Sequence, residues 1–399
     1  MELGFINFNQ EALNRAAKVM KMLQGQGAID ELGLGRIRDV FSNSMFPGLS
    51  VLQTRAKYFV LLPALYSHLE KKRISNPKEA RAIVREYEIR LTRRLVEGSG
   101  NNSGGIIGAD SLSNHQQYVK YDPAYVYQVG LETLGLSKTS GNIYAVLADR
   151  SKMRQGLPSK LHTEEAEDSD DLDGITPLFE TFGKDYRFET SDKIDIALDR
   201  EEALFLKNRI IKAVTSSLMG EMLDSGIYHT INSLEFEDLE KMLTGIVSDR
   251  NFRIYTLSLR FSRFAYLLRL FYAMLYDRRV EAIEEAKDLA EEFKTFHRRY
   301  AADFAPRQIE EILDFASPRL SETRFCKNAA LLIENEDYAG LERLITDREV
   351  EMKGPRRSKL RNPQDYEHRK PFEVPEMMTF RWKGIARNIL REISEALQP

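Results

Sequence analysis

Seven polar side chains sit close together early in the chain. Arg36, Arg38 and Asp39 precede a Met45-Phe46-Pro47-Gly48 turn, and Gln53, Thr54, Arg55 and Lys57 follow it. The surrounding stretch, Gly33 to Tyr66, reads GLGRIRDVFSNSMFPGLSVLQTRAKYFVLLPALY. Guanidinium forks and an ammonium, with Gln and Thr as orienting donors, are the groups that grip an anion such as a phosphate. Asp39 is the nearest carboxylate able to hold a metal or act as a base. The same groups also serve a simpler purpose, a buried ion network in which Asp39 pairs with Arg55 across the turn and fixes two helices.

A second cationic group lies near the C-terminus: Lys353, Arg356, Arg357, Lys359, Arg361, Arg369 and Lys370, interleaved with Tyr366 and His368 and followed by Trp382. Basic side chains near aromatics hold phosphate backbones and stack bases, so nucleic acid is an expected partner of this loop. A loop crossing an acidic surface of its own protein needs the same charges. The glycine-rich stretch Gly98 to Asp110, GSGNNSGGIIGAD, lacks the GxxxxGK[ST] pattern and follows a helix rather than a strand, so it reads as a helix-terminating loop.

Other chemistry is poorly supported. The six histidines are scattered, with no i, i+4 pair for zinc, and GxSxG is absent. The single Cys326 excludes an intrachain disulfide and a multi-cysteine zinc site. No metal or cofactor is expected. Glu351-Met352-Lys353 is an ExK triplet, but at a helix end rather than on the strand where nucleases use it; His368-Arg369-Lys370 starts an HxK pattern that fails at Pro375. A formal net charge of −3 confines any polyanion surface to a local patch. The longest apolar runs, Tyr58 to Tyr66 and Phe264 to Tyr276, fall short of the roughly 18 to 20 residues that cross a bilayer, and no signal peptide opens the chain. A cytoplasmic protein with no membrane partner is expected.

The elements that must position these residues are helices. Apolar residues spaced by four and three predict helices over Leu34–Phe41, Val51–Glu70 with Ser50 as N-cap, Pro77–Val96 burying Ala80, Val84, Tyr87 and Leu91, and Tyr118–Gly135. Further helices are predicted over Asn142–Asp149, Arg200–Met219 with Asp199 as cap and Leu204, Ile211 and Leu218 inside, and Leu234–Val247. The best period, Leu257, Phe261, Phe264, Leu268, Phe271 and Leu275, marks a central helix bordered by Arg253 and Arg260. Helices continue to a last one from about Thr379 to Leu397. Glu2 to Phe8 reads as a short strand. The fold class is mainly α, two packed helical lobes with few short strands. The domains expected are 1–157, an acidic linker over 158–175, a C-terminal helical domain over 176–352, and a basic loop with a closing helix over 353–399.

The opening stretch, with the LGFINF start, NNSGGIIGAD, DREEALFLKNRI and the C-terminal FRWKGIARNILREI, resembles an uncharacterised prokaryotic family catalogued as a domain of unknown function, number 6361. It departs from that family's pattern at Phe5, Leu49, Ala64 and Leu65. The resemblance implies a setting among restriction and phage-defence genes. One expectation is therefore a non-catalytic interaction or scaffold subunit of a defence-type complex, with protein partners and nucleic-acid contact through the C-terminal basic loop. The other is an enzyme acting on a phosphorylated or nucleotide substrate, with the N-terminal arginines as clamp and Asn101 to Gly108 closing over them.

Overall fold

The structure, a computed structural model, describes residues 31–113, 118–139, 142–156, 176–365 and 371–398. Within them the regular elements are helices; one isolated antiparallel bridge joins Ser137 and Phe179. The Glu2–Phe8 strand, the acidic segment 158–175, and Tyr366, His368, Arg369 and Lys370 lie outside the described residues. Among the described residues no helix is long and apolar enough to cross a membrane.

The chain forms two compact units, Met1–Ser42 with Arg253–Phe380, and Asn43–Phe252 with Arg381–Pro399. The first is organised on the helix Asp249–Arg279, of which all but the first turn belongs to it. Its predicted stripe is inside: none of Leu257, Phe261, Phe264, Leu268, Phe271 and Leu275 is more than 3% exposed. Phe41 stacks on Phe261 and Phe315 and meets the Phe380 ring edge-on. Residues 371–379 have no regular secondary structure and are held by the central helix through three side chains. Asp277 accepts from the Phe372 amide (2.7 Å), Arg269 donates to the Glu376 carbonyl (2.7 Å) and Ser262 to the Met378 carbonyl (2.9 Å). Arg260 pairs with Asp303 and Glu311.

In the second unit, Tyr58–Leu69 packs on Pro123–Thr133, Pro77–Ser99 on Ile143–Arg154, and Arg200–Ala213 on Leu218–Asp224 and on Arg387–Leu397. Three caps act where the sequence places them, whereas Ser50, expected as an N-cap, caps no helix: the helix after it opens at Tyr58 with Lys57 at the N-cap position. Asn76 accepts from Lys78 and Glu79, Asp122 from Tyr125, and Asp199 with Glu202 forms a reciprocal capping box. Five expected helices differ: the last, expected from about Thr379, is α-helical over Arg387–Leu397 behind a kink at Lys383 and Gly384, and the one expected from Tyr118 begins at Pro123. The one expected from Val51 begins at Tyr58, because Gln53 and Tyr127 bind the backbone of the preceding residues in a non-helical path; Leu52 is left exposed. The one expected over Arg200–Met219 stops at Ala213 and restarts at Leu218, capped by Ser217. Its buried face is Ala203, Leu206 and Ile210, leaving Leu204 49% exposed. Leu234–Val247 resolves into two short turns, Phe236–Leu239 and Glu240–Leu243.

Candidate functional site

The Phe-Pro-Gly turn sets the geometry of the N-terminal cluster. Gly48 has φ +76°, a conformation that favours glycine, and a Cβ there would lie 2.9 Å from Thr133 Cβ. Gln53, 5% exposed, staples the turn: its amide donates to the Gly48 carbonyl (3.1 Å) and accepts from the Ser50 amide (3.1 Å). The Tyr127 hydroxyl accepts from the amides of Thr54 (2.9 Å) and Arg55 (3.0 Å) and donates to the Arg55 carbonyl (2.8 Å). One phenol thus replaces the first helical turn and throws the side chains of Thr54, Arg55 and Lys57 apart.

Each then finds its own partner. Thr54 donates to the Gly105 carbonyl (2.6 Å), and Arg55 Nη1 to the Gly104 carbonyl (2.8 Å) and the Asn102 carbonyl (3.3 Å). Arg55 Nε lies 2.7 Å from Glu392 Oε1, an ion pair without a directed hydrogen bond. Glu392 also accepts from the Ala56 amide (3.0 Å). Burial pushes its carboxyl above the ordinary range, against the pull of Arg55 and that amide. Gly105, at φ +83°, lets the arginine lie against the loop, since a Cβ there would come within 3.0 Å of Arg55 Cδ. The glycine-rich loop therefore meets the cation with carbonyl oxygens, the opposite polarity from a phosphate cradle.

Lys57, 3% exposed, donates to Glu202 and to the Ala197 carbonyl (2.9 Å). Glu202 is fully buried and also accepts from the Tyr186 hydroxyl (2.7 Å), Lys184 (3.2 Å) and the Asp199 amide (2.9 Å). A cleft of about 360 Å³ opens beside Lys57, lined by Arg94, Lys184 and Lys193 together with Asp185, Asp192 and Asp195. Lys57, Arg187 and Asp199 line it too, so its charges are mixed, and the Arg94 guanidinium is bound to the carbonyls of Tyr186, Arg187 and Asp192.

The other three N-terminal residues are on the helix Gly35–Met45 in the first unit. Arg36 is exposed, and Arg38 grips its neighbour Asp39 through Nε (2.9 Å) and Nη2 (2.7 Å). Asp39 thus pairs with Arg38, and Arg55 with Glu392, in place of the Asp39–Arg55 bridge expected across the turn.

The C-terminal basic loop is built on a buried acid that sequence reasoning missed. Glu349 accepts from Tyr272 (2.6 Å), Ser358 (2.7 Å), Lys353 (2.9 Å) and the amides of Lys359 and Leu360 (3.0 Å each). Lys353 and Lys359 also reach Glu31, at 2.9 and 2.7 Å. Two of the candidate cations therefore work internally. Arg356, Arg357 and Arg361 are exposed; Arg357 bonds the Lys353 carbonyl (2.8 Å) and Arg361 lies 3.8 Å from Asp347. Trp382 is buried and donates to the Leu234 carbonyl (3.0 Å), a packing role in the second unit. Glu351 of the ExK triplet pairs with Arg348 (2.7 Å).

Glu202 and Glu392, also missed, lie in the DREEALFLKNRI and FRWKGIARNILREI segments. Four stretches distant in sequence thus meet around Thr54, Arg55 and Lys57. They define a helical protein whose irregular loops are stitched by buried carboxylates. The family model of a family of unknown function, DUF6361, matches residues 1–311, and the chain belongs to that family. Glu392 lies beyond the matched residues. No curated protein and no solved structure matches the chain.

Proposed function

We propose that this protein is a non-catalytic interaction or scaffold subunit of a cytoplasmic, prokaryotic defence-type complex that touches nucleic acid through the loop from Lys353 to Arg361. One observation carries the reading: Glu349 and Glu31 hold this loop through Lys353 and Lys359, leaving Arg356, Arg357 and Arg361 at the surface. Arginines on a rigid support lose little entropy on meeting a phosphate backbone. The resemblance to a family placed among phage-defence genes supports the setting. Duplex binding should weaken steeply with salt, and replacing the three arginines by Glu should abolish it, with about 0.9 lost from the salt slope per phosphate contact removed. Lys359 is left intact in that variant because Glu31 needs it. Binding indifferent to the reversal would end this proposal.

A second reading, a nucleotide- or phosphate-acting enzyme, draws on the cleft beside Lys57. Arg55 does not line that cleft, so the reading also requires it to exchange the Gly104 carbonyl and Glu392 for substrate oxygens. A ligand at a hundredfold excess over Kd should stabilise the protein by about 2.7 kcal/mol, and Arg55→Ala should lose the response. No thermal shift across a nucleotide panel with magnesium would exclude it.

A further inference from the structure

Large exposed side chains cluster at the start of the helix Pro123–Thr133. Tyr121 is 45% exposed and Tyr125 61% exposed, one helical turn apart, with ring centroids 5.2 Å from each other. Asp122 caps the helix through the Tyr125 amide (3.0 Å), and Pro123 fixes its first dihedral. The two rings are thus held side by side at the surface by a rigid turn. Exposing two adjoining phenol rings forgoes burial that a helix face ordinarily secures, and offers rigid amphipathic faces to a ligand.

The surrounding charge selects the occupant. Lys120 Nζ is exposed and lies 5.2 Å from the Tyr121 ring centroid. The neighbouring helix Pro77–Ser99 runs beside this segment, its Glu88 accepting from the Ala124 amide at 2.7 Å. It carries Lys78, Arg81 and Arg85 on one face. Arg85 reaches the Tyr118 carbonyl (3.4 Å) and its ring, and Arg81 lies over Tyr144. Asp122, the one carboxylate between the two tyrosines in sequence, is 9% exposed and turned to its cap. Two exposed rings side by side, tilted 31° to each other, with cations on the same and the neighbouring segment are complementary to bases on a phosphodiester backbone whose faces are free, which a duplex does not offer.

We infer that Tyr121 and Tyr125, with Lys120 at the Tyr121 ring and Arg81 and Arg85 on the neighbouring helix, form a stacking platform for single-stranded nucleic acid. The inference stands apart from the arginine loop, and its test separates the two. A fluorescently labelled oligothymidylate of ~20 nucleotides, long enough for a stacking site, is titrated into the full-length protein and followed by anisotropy. Tyr121→Ala with Tyr125→Ala should raise the single-strand Kd roughly tenfold or more while duplex binding holds, and the double Phe variant should retain affinity because the ring face remains. The same losses should appear in the background where Arg356, Arg357 and Arg361 are Glu. Arg81→Glu with Lys120→Glu should flatten the salt dependence. The platform is refuted if the wild type binds no single strand, if the Ala pair binds it as well as wild type, or if the Ala pair alters only the association state in sedimentation, which would make this a protein-docking face.

Discussion

Glu349 and Glu88 are both glutamates with no more than 1% of their surface exposed, one in each compact unit, and their carboxyls are driven in opposite directions. Burial raises both. At Glu349 it is outweighed by hydrogen bonds from Tyr272, Ser358, the Leu360 amide and Lys353, and the group is held below the usual carboxylate range. At Glu88 burial stands first, the Asp122 carboxylate adds to it, and the Ala124 amide and the charge of Arg85 oppose it too weakly; the group sits well above that range. Glu88 Oε2 has no hydrogen-bond partner among the described residues. Both side chains are hidden from water, but desolvation weighs more heavily on Glu88, while the number and charge of converging donors favour the ionised form at Glu349. Glu349 is held toward its ionised form with a loop wrapped around it; Glu88 is pushed toward its neutral form at the start of a helix.

The largest expected effect is removal of the anion. Glu349→Ala strands several buried donors and should destabilise the unit that contains it by about 3–5 kcal/mol, read from chemical denaturation. Faster hydrogen exchange at the Lys359 and Leu360 amides should accompany it. A cost below about 1 kcal/mol would show that the loop does not depend on the acid.

Neutral isosteres sharpen the contrast. Glu349→Gln should cost about 2–3 kcal/mol, since charge-assisted bonds become ordinary ones, whereas Glu88→Gln should fall within about 1 kcal/mol of wild type. Equal costs in parallel thermal melts would erase the distinction between the two acids.

The pH dependence should differ in sign. The folded pKa of Glu349 is lowered, so its stabilisation is present above the unfolded-state value and lost as pH falls through the folded one. That of Glu88 is raised, so its contribution is full below the unfolded-state value and lost as pH rises through the folded one. The gap between wild type and Glu349→Gln should therefore close on acidification, and Glu88→Gln should gain on wild type as pH rises. Difference curves of the same sign would contradict this.

The smallest effect concerns Asp277, buried beneath residue 372. Burial pushes its carboxyl up to about 6, against the Phe372 amide and aided by Glu285. Stability from this group should decline as pH rises from about 4 through 6, and Asp277→Asn should flatten that interval in thermal melts. A variant with an unchanged pH profile would remove Asp277 from the account.

Much of the fold was legible because helical periodicity and caps are local. The stripe Ala80, Val84, Tyr87 and Leu91 is buried, and Asn76, Asp122 and Asp199 cap as their positions require. The Arg200–Ala213 helix shows the limit of that reading: Leu204 and Leu206 offer two possible faces, and only packing against its neighbours selects the second. The site was less legible. Glu88 follows Val84 by four residues, and Glu349 follows Leu341 and Ile345 at the same interval, so each acid continues an apolar stripe. That is a usable signal of a buried carboxylate, though not of its protonation.

By itself the sequence determined a mainly helical chain of the DUF6361 family, where most of its helices lie, and which cations were available. Only the tertiary structure decided their use. Thr54, Arg55 and Lys57 read as one donor cluster because they are neighbours in the chain. The Tyr127 hydroxyl takes the backbone of the first two out of helical register, and their partners come from Gly104, Gly105, Glu202 and Glu392. An ion pair depends on which charges folding brings within about 4 Å and how far it strips them of water. Chain order specifies neither, whereas the 3.6-residue period of a helix is written in every turn.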